Sequence, residues 1–124
     1  MITEQQIDGL IKRINGILQE DRAKMKFSFH FAQDRLNDPR NNPDITIDEL
    51  EYIFTTFINR HLQQMLKMDE GCSFTIKCSK SHIAIPCAIQ HELEYGATWV
   101  VQQVVTVMRK QDFKTHPKDQ VFTL

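Results

Sequence analysis

The period of the hydrophobic pattern changes at Gly71, and this change constrains the fold more than any other feature of the chain. Between Leu50 and Leu66 the apolar residues recur at helical spacing. From Cys72 to Cys78 they alternate with polar residues, which is typical of a strand with one buried face. Helices followed by strands predict an α+β fold.

The first helix is predicted over residues 3–20, where Thr3 and Gln6 form a capping box. Its apolar residues recur every three or four positions: Ile7, Leu10, Ile11, Ile14, Ile17 and Leu18. Gly9 and Gly16 weaken this helix by about 1 kcal/mol each relative to alanine, so it depends on docking. Two roles stay open: a layer of the core, which we favour, or an arm that binds a partner or makes the protein oligomeric.

A longer helix is predicted from residue 47 to about 68. Thr46 and Glu49 form its capping box, and further acidic residues occupy its first turn. We expect Gly71 to end it. A third, shorter helix is predicted at about 29–37, although the alternating phenylalanines at its start also fit a short strand.

Three or four antiparallel strands are predicted after the helices. Residues 72–78 and 83–89 form a hairpin with one buried face, and Pro86 indicates that the second strand is an edge strand or carries a bulge. Residues 97–108 are apolar on both faces, which predicts a central strand. About three helices are therefore expected to pack on a three- to four-stranded antiparallel sheet.

Length, charge and cysteine usage narrow the function classes. The 124 residues suffice for one core, so we predict a single domain over residues 1–124. A net charge of -1 means that a polyanion must be bound by a local basic patch. The three cysteines lie in strand-like runs, which predicts reduced thiols in the cytoplasm. No segment has the ~20 apolar residues of a membrane span.

Several motifs are absent from the sequence. It contains no phosphate-binding glycine loop, no GxSxG, no HExxH and no paired Cys/His set. We therefore predict no metal and no cofactor.

The segment SFHFAQDRLNDPRN contains the first candidate site. Histidine can act as an acid or base near neutral pH, and arginine supplies fixed donors for the charge that develops on a phosphate. His30, Arg35 and Arg40 are therefore candidate catalytic residues for metal-independent cleavage of a phosphodiester. The alternative is structural, with Arg35 paired to Asp34 or Asp38 so that it pins the loop.

The second candidate site lies in the segment VMRKQDFKTH, at the end of the last long predicted strand. Arg109 is a candidate catalytic residue that stabilises phosphate. Lys110, Lys114 and His116 are candidate nucleic-acid-binding residues, and Phe113 is available to stack on a base. A rigid strand end is a common position for site residues. The alternative is a solvated basic end of the chain.

The chain contains the run FSFHFAQDRLNDPRNNPDITIDEL, followed by a long helix, strands and a closing TVMRKQDFKT. This arrangement resembles small phage-encoded proteins of the RelE-like, or barnase–EndoU–colicin-like, ribonuclease superfamily, with a RegB-like layout. The resemblance covers residues 27–115 and implies a RelE-like fold. It also implies metal-independent cleavage of RNA through a 2′,3′-cyclic phosphate, in the cytoplasm of the host cell.

The resemblance assigns acid or base chemistry to His30 and phosphate binding to Arg35, Arg40, Arg109 and Lys114. Some superfamily members use a tyrosine of the sheet. This chain has no equivalent residue, because one of its tyrosines is predicted in a helix and the other in a turn. A second hypothesis is therefore a non-catalytic phage accessory or inhibitor protein that binds a host protein or nucleic acid. The nuclease hypothesis is favoured if His30, Arg109 and Lys114 open onto one concave surface within about 10 Å of each other, and it largely fails if they lie on opposite faces.

Overall fold

Two α-helices, a π-helix and six strands make up the part of the chain that this computed structural model describes, residues 1–115 and 119–124. The helices are α1 (Glu4–Leu18), the π-helix (His30–Arg35) and α2 (Ile47–Leu66), with one 3-10 turn (Gln19–Asp21) after α1. The strands are β1 (Ala23–Phe27), β2 (Ser73–Cys78), β3 (Ile83–Glu94), β4 (Ala97–Val104), β5 (Met108–Arg109) and β6 (Gln120–Thr123). The predicted α+β class is confirmed.

Helix α1 forms a layer of the hydrophobic core. The Thr3 hydroxyl accepts a hydrogen bond from the Gln6 backbone, and the Gln6 side chain accepts one from the Thr3 backbone, so the predicted capping box is present. Its buried side chains are Leu10, Ile14 and Leu18, and all three belong to the core cluster that also includes α2 and the sheet. The core role predicted for this helix is confirmed.

Helix α2 begins at its predicted capping box but ends before Gly71. Thr46 and Glu49 exchange the two reciprocal hydrogen bonds, and the last helical residue is Leu66. Gly71 lies in the turn before β2, where its φ of +86° suits glycine and its N–H donates to the Ile89 carbonyl. The role predicted for Gly71 as a helix end is therefore wrong.

The sheet is mixed and six-stranded, so the prediction of three or four antiparallel strands is wrong in number and in direction. Its order is β1-β4-β3-β2-β6, and β5 pairs with β3. Strands β2, β3 and β4 form the antiparallel centre, whereas β1 pairs parallel with β4 and β6 pairs parallel with β2. The two parallel strands are short and meet partners that are distant in sequence, so a local pattern does not reveal them.

Pro86 lies in β3, an inner strand, so the prediction of an edge strand is wrong. The ladder between β3 and β4 starts at Cys87, and the ladder between β3 and β5 ends at Ala84. Pro86 sits where the neighbouring strand is interrupted, and its carbonyl accepts the N–H of Val105 at 3.0 Å. The missing N–H of proline consequently removes no ladder hydrogen bond.

The parallel pairing of β1 and β4 positions the two basic segments. Phe27 and Val104, the last residues of the two strands, are partners in the ladder. The chain therefore leaves both strands at the same end of the sheet. Ser28 links the ends of the two strands: its N–H donates to the Val104 carbonyl at 2.9 Å, and its hydroxyl donates to the Val105 carbonyl at 2.6 Å.

In the described part of the chain, no helix has both the length and the apolar character needed to cross a bilayer.

Candidate functional site

The two basic segments meet at one concave surface, which we call the basic pocket. Its volume is about 310 Å³, and the polar side chains in its wall come from both segments: Arg35, Asp38, Arg40, Asn41, Arg109 and Lys110. Neither His30 nor Lys114 belongs to this wall. The structure therefore brings three of the four candidate catalytic residues and Lys110 together, with His30 attached to them through Arg35.

Asn41 joins the two segments directly, a role that the sequence analysis missed. Its side chain is buried. Its Oδ1 accepts the backbone N–H of Arg109 at 2.9 Å, and its Nδ2 donates to the Arg35 carbonyl at 2.9 Å. An asparagine in a loop carries no sequence signal for such a contact, because the partner backbone belongs to a distant strand.

His30 opens the π-helix and is held between two neighbours. The Nε–H of Arg35 donates to His30 Nε2 at 2.9 Å, and His30 Nδ1 lies 3.2 Å from Asp34 Oδ2. Because a guanidinium can only donate, Nε2 must accept, and the proton of the neutral ring lies on Nδ1 facing Asp34. The side chain of His30 is 46% exposed. Asp34 thus keeps Nε2 as the basic nitrogen of the ring.

Asp38 is the carboxylate of the basic pocket. It binds Arg40 Nη2 at 2.7 Å and lies 3.8 Å from Arg35 Nη1. The hydrogen bonds from the Arg40 side chain and backbone lower the pKa of Asp38 to about 2, and the same contact raises the pKa of Arg40. The pinned loop of the structural alternative therefore exists, while the Arg40 side chain remains 72% exposed.

Arg109 differs from its predicted role. Its guanidinium donates to both carboxylate oxygens of Glu49 and to the carbonyls of Pro43, Asp44 and Ser81. These bonds use all five of its N–H groups, and the side chain is only 10% exposed. Arg109 therefore has no donor left for a phosphate in this arrangement. It fastens β5 to the start of α2 and to the turn between β2 and β3.

Lys110 and Phe113 of the second segment both line a neighbouring hollow of about 340 Å³. Lys77 Nζ donates to the Phe113 carbonyl at 2.7 Å and lies 5.9 Å from the centre of its ring. Lys114 is exposed and lines neither hollow. His116, the fourth nucleic-acid-binding candidate, lies outside the described residues.

A larger concavity, which we call the α2 pocket, also has Arg109 in its wall. This α2 pocket has a volume of about 820 Å³, and its wall includes Asp48, Tyr52, Lys80, Ser81, His82 and Arg109. Size alone would direct attention here, but the cationic side chains and His30 are grouped at the basic pocket. We therefore treat the basic pocket as the centre of the candidate site.

Within residues 1–115 and 119–124, no three His, Cys, Asp or Glu side chains are grouped closely enough to hold a metal ion. Comparisons with protein families, with curated proteins and with solved structures found no match to this chain. The function is therefore argued from the geometry of the site.

Proposed function

We propose that this protein is a metal-independent endoribonuclease of RelE-like fold whose centre is the basic pocket. The observation that carries the proposal is the meeting of Arg35, Arg40 and Lys110 at one pocket, with His30 hydrogen-bonded to Arg35. These are the residue types that cleave RNA without a metal: a base for the 2′-hydroxyl and cations for the phosphate.

His30 is the general base of the proposed reaction. An anionic phosphate oxygen is a stronger acceptor for a guanidinium than a neutral imidazole, so bound RNA draws Arg35 away from Nε2. The freed Nε2 takes the proton of the 2′-hydroxyl, and the 2′-oxygen attacks the phosphorus. The bond to the 5′-oxygen breaks, that oxygen takes a proton from solvent, and a 2′,3′-cyclic phosphate remains. Asp34 stabilises the imidazolium through Nδ1.

Arg35, Arg40 and Lys110 bind the phosphate and stabilise the charge that develops on it. Lys110 is exposed and carries no ion pair among the described residues. Arg40 reaches solvent despite its contact with Asp38. Arg109 is a positioning residue in this proposal, because it fixes the strand end that presents Lys110.

The resemblance to RelE-like phage ribonucleases supports the same reading. It rests on the two segments that form the basic pocket, and the order of helices before the long strands agrees with its α+β layout. We accordingly propose phage origin and action in the host cytoplasm, where single-stranded RNA is available.

The test is cleavage of RNA in the presence of EDTA. We expect the purified protein to cut RNA to 2′,3′-cyclic phosphate ends and to leave DNA of the same sequence intact, because DNA lacks the 2′-hydroxyl. We expect His30→Ala to lower the rate by a factor of about 100 or more without lowering the melting temperature. Arg60→Ala, an exposed arginine of α2, is the matched control and should cleave normally. Undiminished cleavage by His30→Ala would refute the assignment.

A second candidate function is binding without turnover, as an accessory or inhibitor protein. One observation favours it: both ring nitrogens of His30 already have polar partners, and Arg40 Nη2 already donates a hydrogen bond to Asp38. This function predicts that the protein binds RNA or a host protein without cutting it, and that His30→Ala binds with unchanged affinity. Sedimentation of the same samples tests whether the protein is also oligomeric.

A further inference from the structure

The α2 pocket and the basic pocket are neighbours that share one wall residue. Arg109 contributes to both walls, and five hydrogen bonds hold its guanidinium in place. The two pockets therefore adjoin, as neighbouring units of one bound chain require. The 820 Å³ volume of the α2 pocket lies in the range of about 300–1,000 Å³ typical of small-molecule sites.

We propose that the α2 pocket is a nucleobase subsite that holds one unpaired base of the RNA whose phosphate occupies the basic pocket. This inference rests on the proposed function and adds to it a second subsite, which binds an unpaired base. A base can enter a side pocket only when it is not paired in a duplex.

The wall of the α2 pocket has the composition that a base requires. Tyr52 projects from α2 with 48% of its surface exposed, and its ring offers a stacking face. Asp48, one helical turn earlier, supplies an acceptor, and Lys80 supplies donors from the opposite turn. Neither charged group forms an ion pair within the described part of the chain. Donors and acceptors beside an aromatic ring match the edge and the face of a base.

Ser81 adds a polar group that the protein itself does not satisfy. Its hydroxyl is buried and has no hydrogen-bond partner among residues 1–115 and 119–124, although its backbone carbonyl accepts from Arg109. Buried polar atoms are normally paired, so this hydroxyl has unused hydrogen-bonding capacity in a residue that lines the α2 pocket.

The experiment measures, by anisotropy at 4 °C, binding of a fluorescent five-nucleotide RNA whose 2′-hydroxyls are methylated so that it cannot be cleaved, and of the same RNA made abasic at each position in turn. Tyr52→Ala should weaken binding of the intact RNA about tenfold, since stacking contributes about 1–3 kcal/mol per base. It should leave unchanged the affinity for the abasic RNA that lacks the bound base. Tyr52→Phe keeps the ring and should bind like the wild type.

Tyr95→Ala is the matched control, because Tyr95 lies at the tip of the turn between β3 and β4 with 97% of its surface exposed. A Tyr52→Ala protein that loses no more affinity than Tyr95→Ala would overturn the subsite while the proposed function stands. Arg40→Ala should weaken intact and abasic RNA equally, since it acts on the phosphate. A wild-type protein that binds no RNA at all would overturn both proposals.

Discussion

The side-chain carbonyl of Asn41 accepts the backbone N–H of Arg109 at 2.9 Å. Through this bond, and through the one from its amide to the Arg35 carbonyl, one buried side chain holds together two segments that are far apart in sequence. The shape of the basic pocket therefore depends on an amide that carries no charge and touches no substrate in the proposed mechanism.

Replacing Asn41 should loosen this junction. Asn41→Ala leaves the N–H of Arg109 and the carbonyl of Arg35 without partners, and we expect the free energy of unfolding to fall by about 2–3 kcal/mol. Urea denaturation followed by circular dichroism measures the loss. Asn59→Ala, at an exposed position of α2, is the control and should stay within about 0.5 kcal/mol of the wild type. Equal stability of the two variants would show that the junction is not held by Asn41.

The ion pair between Arg109 and Glu49 predicts how stability depends on pH. The hydrogen bonds from Arg109 hold the pKa of Glu49 below its ordinary value of 4.5. A depressed pKa in the folded state contributes stability that is fully present above pH 4.5 and is lost as the pH falls through the folded value. We expect Glu49→Gln to cost about 2 kcal/mol at pH 7, the worth of a charge-assisted hydrogen bond, and progressively less below pH 4.5.

Denaturation of wild type and Glu49→Gln at a series of pH values between 7 and 3 measures this difference directly. Glu20→Gln, at an exposed position after α1, controls for the loss of a negative charge and should show no such trend. A Glu49→Gln deficit that is constant across the series would mean that ionisation of Glu49 does not stabilise the fold.

Both long helices could be predicted because their signals are local. The pairs Thr3–Gln6 and Thr46–Glu49 lie within one turn, and the apolar spacing that follows them is a property of consecutive residues. The antiparallel strands β2 and β3 follow from alternation, and β4 follows from a run that is apolar on both faces, for the same reason. The parallel pairing of β1 with β4 could not be predicted, because nothing in its five residues identifies a partner.

The candidate site shows the same division between local and distant information. His30, Arg35 and Arg40 could be chosen from residue type and proximity along the chain. Arg109 looked equivalent to them as a cation in a basic segment, yet its environment is set by Glu49, which lies far away in the sequence. Residue type determines what a side chain can bind, but only the tertiary structure shows which partners it already has.

Replacement by alanine should change the stability of the fold in opposite directions at Gly16 and at Gly71. Gly16 lies on the exposed side of α1 with no atom within 4 Å of an added Cβ, so Gly16→Ala should stabilise the fold by about 0.5–1 kcal/mol. Gly71 has equal space but a φ of +86°, and Gly71→Ala should destabilise by about 1–2 kcal/mol because L residues disfavour that conformation. Thermal denaturation of both variants measures the contrast, and a shift of the same sign in both would contradict it.

Asp38 limits the positive charge of the basic pocket, and its removal should strengthen RNA binding. Its pKa of about 2 keeps it ionised at every working pH. Asp38→Asn retains Oδ1 for the backbone N–H of Arg40 at 2.9 Å and for Arg40 Nε at 3.1 Å. It removes the negative charge and the Oδ2 acceptor that Arg40 Nη2 binds at 2.7 Å. We expect RNA affinity to rise about threefold to tenfold at low salt, as for removal of one repulsive charge near the ligand.

The salt dependence of this gain distinguishes a phosphate site from a general change in the protein. An Arg40 whose charge is no longer neutralised by Asp38 adds one phosphate contact, so the slope of log affinity against log salt should steepen by about 0.7 for single-stranded RNA. Asp21→Asn removes the same charge beside the start of β1, at the opposite end of that strand from the pocket, and should change neither affinity nor slope by a comparable amount. If both variants shift RNA binding equally, the gain comes from net charge alone, and the basic pocket is not where the phosphate binds.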